Sequence, residues 1–305
     1  MTLTAVYLSL MAIVLIPFVP FIMYNYKEVK STKKQALIYG ILSMMINFLI
    51  CKCIGFRLMY IVIFTFVPAM CGTIFNYLIV SDGINIKKIP KSFGVFLLFM
   101  FSSVFQLIAA AFLNYDIDNL KDNQQLILSL ISDLILLFIL IYIYRRTIID
   151  DFRKLIKDVN RIFDISIKYW LIGLLCMMAS NFLINILTPA RAVNEEAVQE
   201  VIHSSKYLAI FTMGIVGPMI EELVFRKSFR DVFKNDKAFI IASGLVFGSL
   251  HVLLSLSSSF DLLYIIPYSS LGIVFAAMYA KTDNIYSSMS MHMFHNTVLT
   301  IISLL

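Results

Sequence analysis

The stretch Leu126–Tyr144, LILSLISDLILLFILIYIY, runs nineteen residues with a single charge, Asp133, before the basic pair Arg145-Arg146 stops it. About 20 apolar residues are what an α-helix needs to cross a hydrocarbon core of roughly 30 Å. The run does not alternate apolar with polar residues, as a barrel strand would, so it reads as a transmembrane helix. Similar runs recur along all 305 residues. They give the chain 60% hydrophobic side chains, only 14% charged ones and a mean hydropathy of +0.87, far from soluble usage.

Reading apolar runs against polar breaks predicts an all-α, polytopic transmembrane helical bundle of about ten spans, near 2–24, 36–52, 58–80, 92–115, 126–144, 167–187, 207–229, 238–254, 261–281 and 285–305. The first run has no basic residue before it and no small-residue cleavage site after it, so it is expected to be a span and not a removable signal peptide. All Lys and Arg residues except Lys52, Arg57, Lys121, Arg191 and Lys206 fall in alternate loops. Loops rich in Lys and Arg stay cytoplasmic, which places both termini outside. The net charge of +6 is thereby assigned to orientation and to inner-leaflet lipid, and needs no nucleic acid. Cys51, Cys53, Cys71 and Cys176 form no C-x2-C pair and have no His at ligand spacing, so they read as small apolar residues.

Two loops are long enough to need their own reading. In 145–168, Ile149, Phe152, Leu155, Ile156, Val159 and Phe163 recur at helical spacing between charges, which predicts an amphipathic helix along the membrane surface. In 188–206, Glu195, Glu196, Glu200 and His203 read as a solvated extracytoplasmic loop, since they lack a closing ligand set. The chain thus divides into N-terminal transmembrane helices over 1–187, about six spans of unassigned role, this loop over 188–206, and a core of about four spans over 207–305. No soluble domain is visible.

The core carries the polar residues that a membrane penalises by roughly 2.5–3.5 kcal/mol each. In PMIEELVFRKSF, Pro218–Phe229, Glu222 and Arg226 stand four apart on one helix face, carboxylate first, so Arg226 neutralises Glu222 as a structural strut. Glu221 points about 100° away and is left free to take a proton. Pro218 crowds the carbonyl of Gly214 and removes a helix bond, and Gly217 adds slack, so a kink is expected there. Phe247 and His251 share a face, which lets the ring orient the imidazole, and Gly244 and Gly248 admit a close neighbouring helix. His292 and Asn296 share a face and could donate to an oxyanion; His295 lies beside that face. A carboxylate base, an imidazole and two oxyanion donors are the parts needed to hydrolyse a peptide with activated water.

In order and spacing, Glu221-Glu222-x-x-x-Arg226, Phe247-x-x-x-His251 and His292-x-x-x-Asn296 resemble the three motifs of the CPBP intramembrane proteases, the CAAX protease and bacteriocin-processing or Abi family. The resemblance covers about the last hundred residues and marks 207–305 as a CPBP-like catalytic core. It implies that Glu221 activates a water with His251, that His292 and Asn296 stabilise the oxyanion, and that Glu222, Arg226 and Phe247 support the site. Lys227 departs from the glycine frequent in the family after the arginine. No metal cofactor is expected. Zinc held by Glu221, His251 and His292 is the alternative, disfavoured because HxxxN offers an amide where a stronger ligand would be expected and no second carboxylate would remain as base.

The expected activity is therefore intramembrane endopeptidase cleavage of a peptide or membrane-associated protein. In bacterial relatives the substrates include peptide pheromones and bacteriocin precursors, in eukaryotic ones prenylated CAAX tails; the Lys-, Ile- and Asn-rich composition points to a bacterial cell membrane. A non-catalytic scaffold that regulates a partner such as a sensor kinase is the competing class. A transporter fits less well, because spans one to six nearly lack ionisable residues and no two-fold repeat is visible.

Overall fold

The computed structural model describes residues 33–54, 83–187, 205–253 and 259–304, with scattered positions between 65 and 77. The expected spans 2–24 and most of 58–80 lie outside the described residues. Every element of three or more described residues is helical. The chain divides into two compact units, Met1–Ile86 and Lys87–Leu305. In the first, α1 (Lys33–Ile54) holds the expected span 36–52. The second holds α2 (Ile89–Met100), α3 (Ser103–Phe112), α4 (Asp122–Lys157), α5 (Val159–Leu187), α6 (Lys206–Val232), α7 (Asp236–Leu253), α8 (Ile265–Thr282) and α9 (Ile285–Ile302). Five described helices are long and apolar enough to cross a membrane, or six if α2 and α3 make one span.

The expected span 92–115 is bent by 53° between α2 and α3. Ser132 Oγ of α4 donates to the Ser102 carbonyl at that break, 2.9 Å away, beside the turn bond from Phe105 N, and so ties α4 to the bend. The expected surface helix over 145–168 is corrected. At 36 residues α4 is about 54 Å long, so residues 145–157 simply continue the span, and the chain turns at Asp158 into α5. Ile149, Phe152, Ile156, Val159 and Phe163 are exposed along this continuous stretch.

The centre of the second unit is α8, against which α7 lies unusually close. A Cβ added to Gly248 would stand 2.4 Å from Ser269 N, and one added to Gly244 would stand 2.6 Å from Ile273 N, so both positions admit only glycine at this spacing. On its other side α8 packs Leu271, Val274, Phe275 and Met278 against Met291 of α9 and Trp170 and Met177 of α5.

The register of α9 is fixed at its start. Asp283 turns the chain with φ of 46°, and Asn284 caps α9 by accepting from Tyr286 N at 3.0 Å. The buried Asp151 of α4 then accepts from Ile285 N at 2.9 Å, while its carbonyl takes Asn284 Nδ2 at 2.7 Å. Lys154, one turn on, reaches Asp283 at 2.9 Å. The C-terminal end of α4 thereby sets where every α9 side chain falls.

Two variants check these contacts. Gly248→Val forces α7 off α8 and is expected to lower stability by at least about 1–3 kcal/mol, read as thermal unfolding of the full chain in detergent. Asp151→Ala strands the first amide of α9 and is expected to cost about 1–3 kcal/mol in the same assay; an unchanged melting temperature would show that α9 is held elsewhere.

Candidate active site

The site starts from a helix that is not regular. In α6 two π-helical turns, Thr212–Val216 and Glu222–Lys227, flank the short α segment Gly217–Glu221. The expected disturbance at Pro218 is there, with a different shape: Gly217 N reaches back five residues to Thr212 O, so Met213 O loses its donor, and Pro218 has no N–H to give Gly214 O. Both carbonyls find partners on α9. Asn296 Nδ2 donates to Met213 O at 3.1 Å and Thr297 Oγ1 to Gly214 O at 3.3 Å. Gly214 makes this possible, because a Cβ there would stand 2.6 Å from Thr297 Oγ1.

In the second π turn Ser228 N bonds Leu223 O, leaving Val224 O to the Ser228 hydroxyl. Ser243 Oγ of α7 takes Phe225 O at 2.8 Å and accepts from Arg226 Nη1 at 3.2 Å. Such π turns are frequent at functional sites because they release backbone groups and re-aim side chains. Here they bracket Glu221 and Glu222.

Glu222 and Arg226 are both fully buried and paired at 3.3 Å, as the four-residue spacing requires. The same Glu222 oxygen, Oε1, lies 2.9 Å from His292 Nδ1. Aromatic faces close this polar knot: the Arg226 guanidinium sits 4.6 Å over Phe247, and His292 is stacked on Phe275 at 4.7 Å with Phe247 edge-on at 5.7 Å. Phe247 also packs on His251 at 4.3 Å and accepts from it through its backbone, His251 Nδ1 to Phe247 O at 2.9 Å. Tyr268 stacks on the other side of His251 at 5.2 Å.

Glu221 points elsewhere, as its position on the helix dictates, and meets two imidazoles. Oε1 lies 3.7 Å from His251 Nε2 and Oε2 lies 3.5 Å from His292 Nε2. The glutamate side chain is 20% exposed, whereas Glu222 is sealed. Straight helices would have set His251 and His292 at different depths, yet the structure brings both to one carboxylate. Beside them opens a cavity of about 360 Å³, walled by Phe247, Tyr264, Leu271 and Phe275 and reaching His295 and Asn296. Lys227 stays away from it, bound to Asp231 at 2.6 Å.

The charge states follow from the partners. A carbonyl can only accept, so His251 Nδ1 carries the proton, and in a neutral ring Nε2, on the Glu221 side, is an acceptor. His292 Nδ1 likewise donates to Glu222, which keeps its Nε2 for the Glu221 side. Among the described residues no three His, Cys, Asp or Glu side chains form a group that could hold a metal ion.

Sequence reading placed Glu221, Glu222, Arg226, Phe247, His251, His292 and Asn296, and the structure gathers all of them. It missed Ser243, Phe275, Tyr268 and Thr297. For Thr297 a signal existed, since the carbonyl that Pro218 leaves bare needs a donor from some other helix; the other three have no local spacing that marks them. Arg226→Ala strands a buried carboxylate and is expected to cost about 3–5 kcal/mol, read as lost accumulation of folded protein. Thr297→Val is expected to cost about 1–3 kcal/mol and Thr297→Ser much less, by thermal unfolding; equal effects would mean that packing, and not the Gly214 carbonyl, matters at this position.

Residues 203–298 match the family profile described as Type II CAAX prenyl endopeptidase Rce1-like. YdiL of Bacillus subtilis, a candidate membrane peptidase by name, is 32% identical over 114 residues, 36% of this chain and 43% of that protein. The membrane-embedded CAAX protease MroQ of Staphylococcus aureus is 34% identical over 105 residues, 32% of this chain and 39% of that protein. Both matches thus span less than half of the relative's length. The UPF0177 protein YxdF of Lactococcus lactis is 25% identical over 148 residues, 45% of this chain and 77% of that protein. No solved structure matches the chain. All three motifs lie inside the matched segment, so the similarity to the Rce1-like CAAX endopeptidases falls on the residues that build this site.

Proposed function

We propose that this multi-pass membrane protein is an intramembrane endopeptidase that hydrolyses a peptide bond in a membrane-associated peptide or protein. The observation that carries the reading is Glu221, a part-exposed carboxylate with one oxygen towards each of two imidazoles at the edge of a largely apolar cavity. A water held between Glu221 and His251 Nε2 attacks the scissile carbonyl as Glu221 takes its proton. The carbon–oxygen bond forms, negative charge moves to the carbonyl oxygen, and the carbon–nitrogen bond then breaks as Glu221 returns the proton to the leaving amine.

His292 and Asn296 would face that oxyanion. Asn296 spends one amide hydrogen on Met213 O and has a second to give. For His292 Nε2 to donate while Nδ1 serves Glu222, the ring must carry both protons, a charge that Glu221, Glu222 and Arg226 together balance. Glu222 and Arg226 hold His292 from outside the cavity, and Phe247 orients both rings while also walling it. The mechanism asks for no metal ion. Peptide processing of the pheromone or bacteriocin kind is preferred over prenyl-tail trimming, with both chain termini extracytoplasmic as the basic loops require.

Peptide mass spectrometry on membranes from cells with wild type, with Glu221→Gln and with neither, run with and without a zinc chelator, tests this. The expected result is a cut product seen with wild type only, lowered at least about 10²–10⁴-fold by Glu221→Gln while the protein stays abundant, and unaffected by chelation. If Glu221→Gln restores the deletion phenotype and no product differs, the chain is a non-catalytic scaffold. Loss of the product under chelation would replace the metal-free mechanism with zinc chemistry.

A further inference from the structure

The cavity continues past the groups that the hydrolysis uses. Its lining follows α9 from His292 to Ser303, about 16 Å of helix axis, so it is long enough to contact several residues of an extended peptide beyond the scissile bond. Met177, Leu271 and Leu299 make that part apolar. Thr300 and Ser303 also line it, but their hydroxyls return to Asn296 O and Leu299 O, which leaves Asn181 from α5 and His295 from α9 as polar side chains without such a bond.

Neither has a place in the mechanism. Asn181 Oδ1 is buried and has no hydrogen-bond partner among the described residues. His295 is 3% exposed and held edge-on by the Trp170 ring, 6.5 Å away, with its edge on the cavity. Burying such groups costs free energy unless something in the cavity bonds to them. An asparagine amide and a neutral imidazole each offer a donor and an acceptor, which is the pattern that a carboxamide complements. No Asp, Glu, Lys or Arg stands among the described lining residues, so an ionised group there would lose its hydration without an opposite charge in return.

We propose that Asn181 and His295 form a specificity subsite that takes an uncharged carboxamide side chain, Asn or Gln, of an otherwise apolar substrate peptide. The assignment rests on the hydrolytic reading for what enters the cavity. It predicts that the enzyme selects its substrate by one amide placed among apolar residues, at a distance from the bond that is cut.

Trp170 is the only tryptophan in the chain and touches both His295 and Phe294, so its emission reports on this part of the cavity. The full chain carrying Glu221→Gln, which does not consume the probe, is titrated in detergent micelles with a short capped Ala/Leu/Ile peptide bearing one central Gln, and with the same peptide bearing Leu instead. The Gln peptide is expected to shift Trp170 emission and to bind roughly tenfold tighter than the Leu peptide. Added Asn181→Leu or His295→Leu should erase that difference.

Equal binding of the two peptides overturns the proposal and leaves ordered water as the partner of Asn181; so does a preference for Gln that survives both variants, or emission that neither peptide moves. Should the variants fail to accumulate, the comparison of the two peptides on the Glu221→Gln chain decides alone. Discrimination without any product in the membrane assay would sink the protease reading and keep the subsite as that of a peptide-binding scaffold.

Discussion

One carboxylate oxygen holds this site together. Glu222 Oε1 meets Arg226 from its own helix and His292 from α9, with Glu222 and Arg226 fully buried and the His292 side chain 4% exposed. A lone ion at this depth would carry a penalty of several kcal/mol, so the pair exists only because each charge finds the other and a further hydrogen bond. The aromatic rings around it extend the dependence. Phe247 brings α7 under the guanidinium, and Phe275 brings α8 against the imidazole. Four helices thus converge on a single acidic residue that the proposed mechanism leaves out of bond breaking.

Three of these helices, α6, α7 and α9, are joined a second time through backbone that α6 cannot satisfy by itself. In a hydrocarbon setting a free carbonyl has no water to turn to, and irregular backbone survives only where protein supplies the missing bonds. The π turns and Pro218 free Met213 O, Gly214 O and Val224 O. Two are taken by α9 and one by Ser228, and Ser243 of α7 adds a bond to Phe225 O. The geometry of the candidate site and the integrity of α6 are therefore the same problem: Asn296, read from its motif as an oxyanion donor, is also what lets α6 deviate from a regular helix beside Glu221.

Much of this was legible along the chain, and the limits of legibility are physical. Length and hydropathy marked α1, α4, α5, α6 and α8, because a membrane tests each helix singly. The Glu222–Arg226 pair and the Phe247–His251 contact were legible because four residues is one helical turn, and the close approach at Gly244 and Gly248 because only glycine allows it. The surface helix over 145–168 was misread for a complementary reason. Charges interleaved with apolar residues describe a helix at an interface, and they do not say whether it is a new helix or the end of a long one such as α4.

The sequence by itself determined a helical membrane bundle, the three motifs within residues 203–298, and which glutamate would be paired and which left free, since these rest on composition and on relations within one helix. Only the tertiary structure decided that His292 answers to Glu222 on one nitrogen and faces Glu221 on the other, that Thr297 completes the backbone of α6, and that Asn181 and His295 share a cavity. Those are contacts between helices. They depend on crossing geometry and on the register set at Asp151 and Asn284, and no spacing within a helix encodes the rotation of its neighbour.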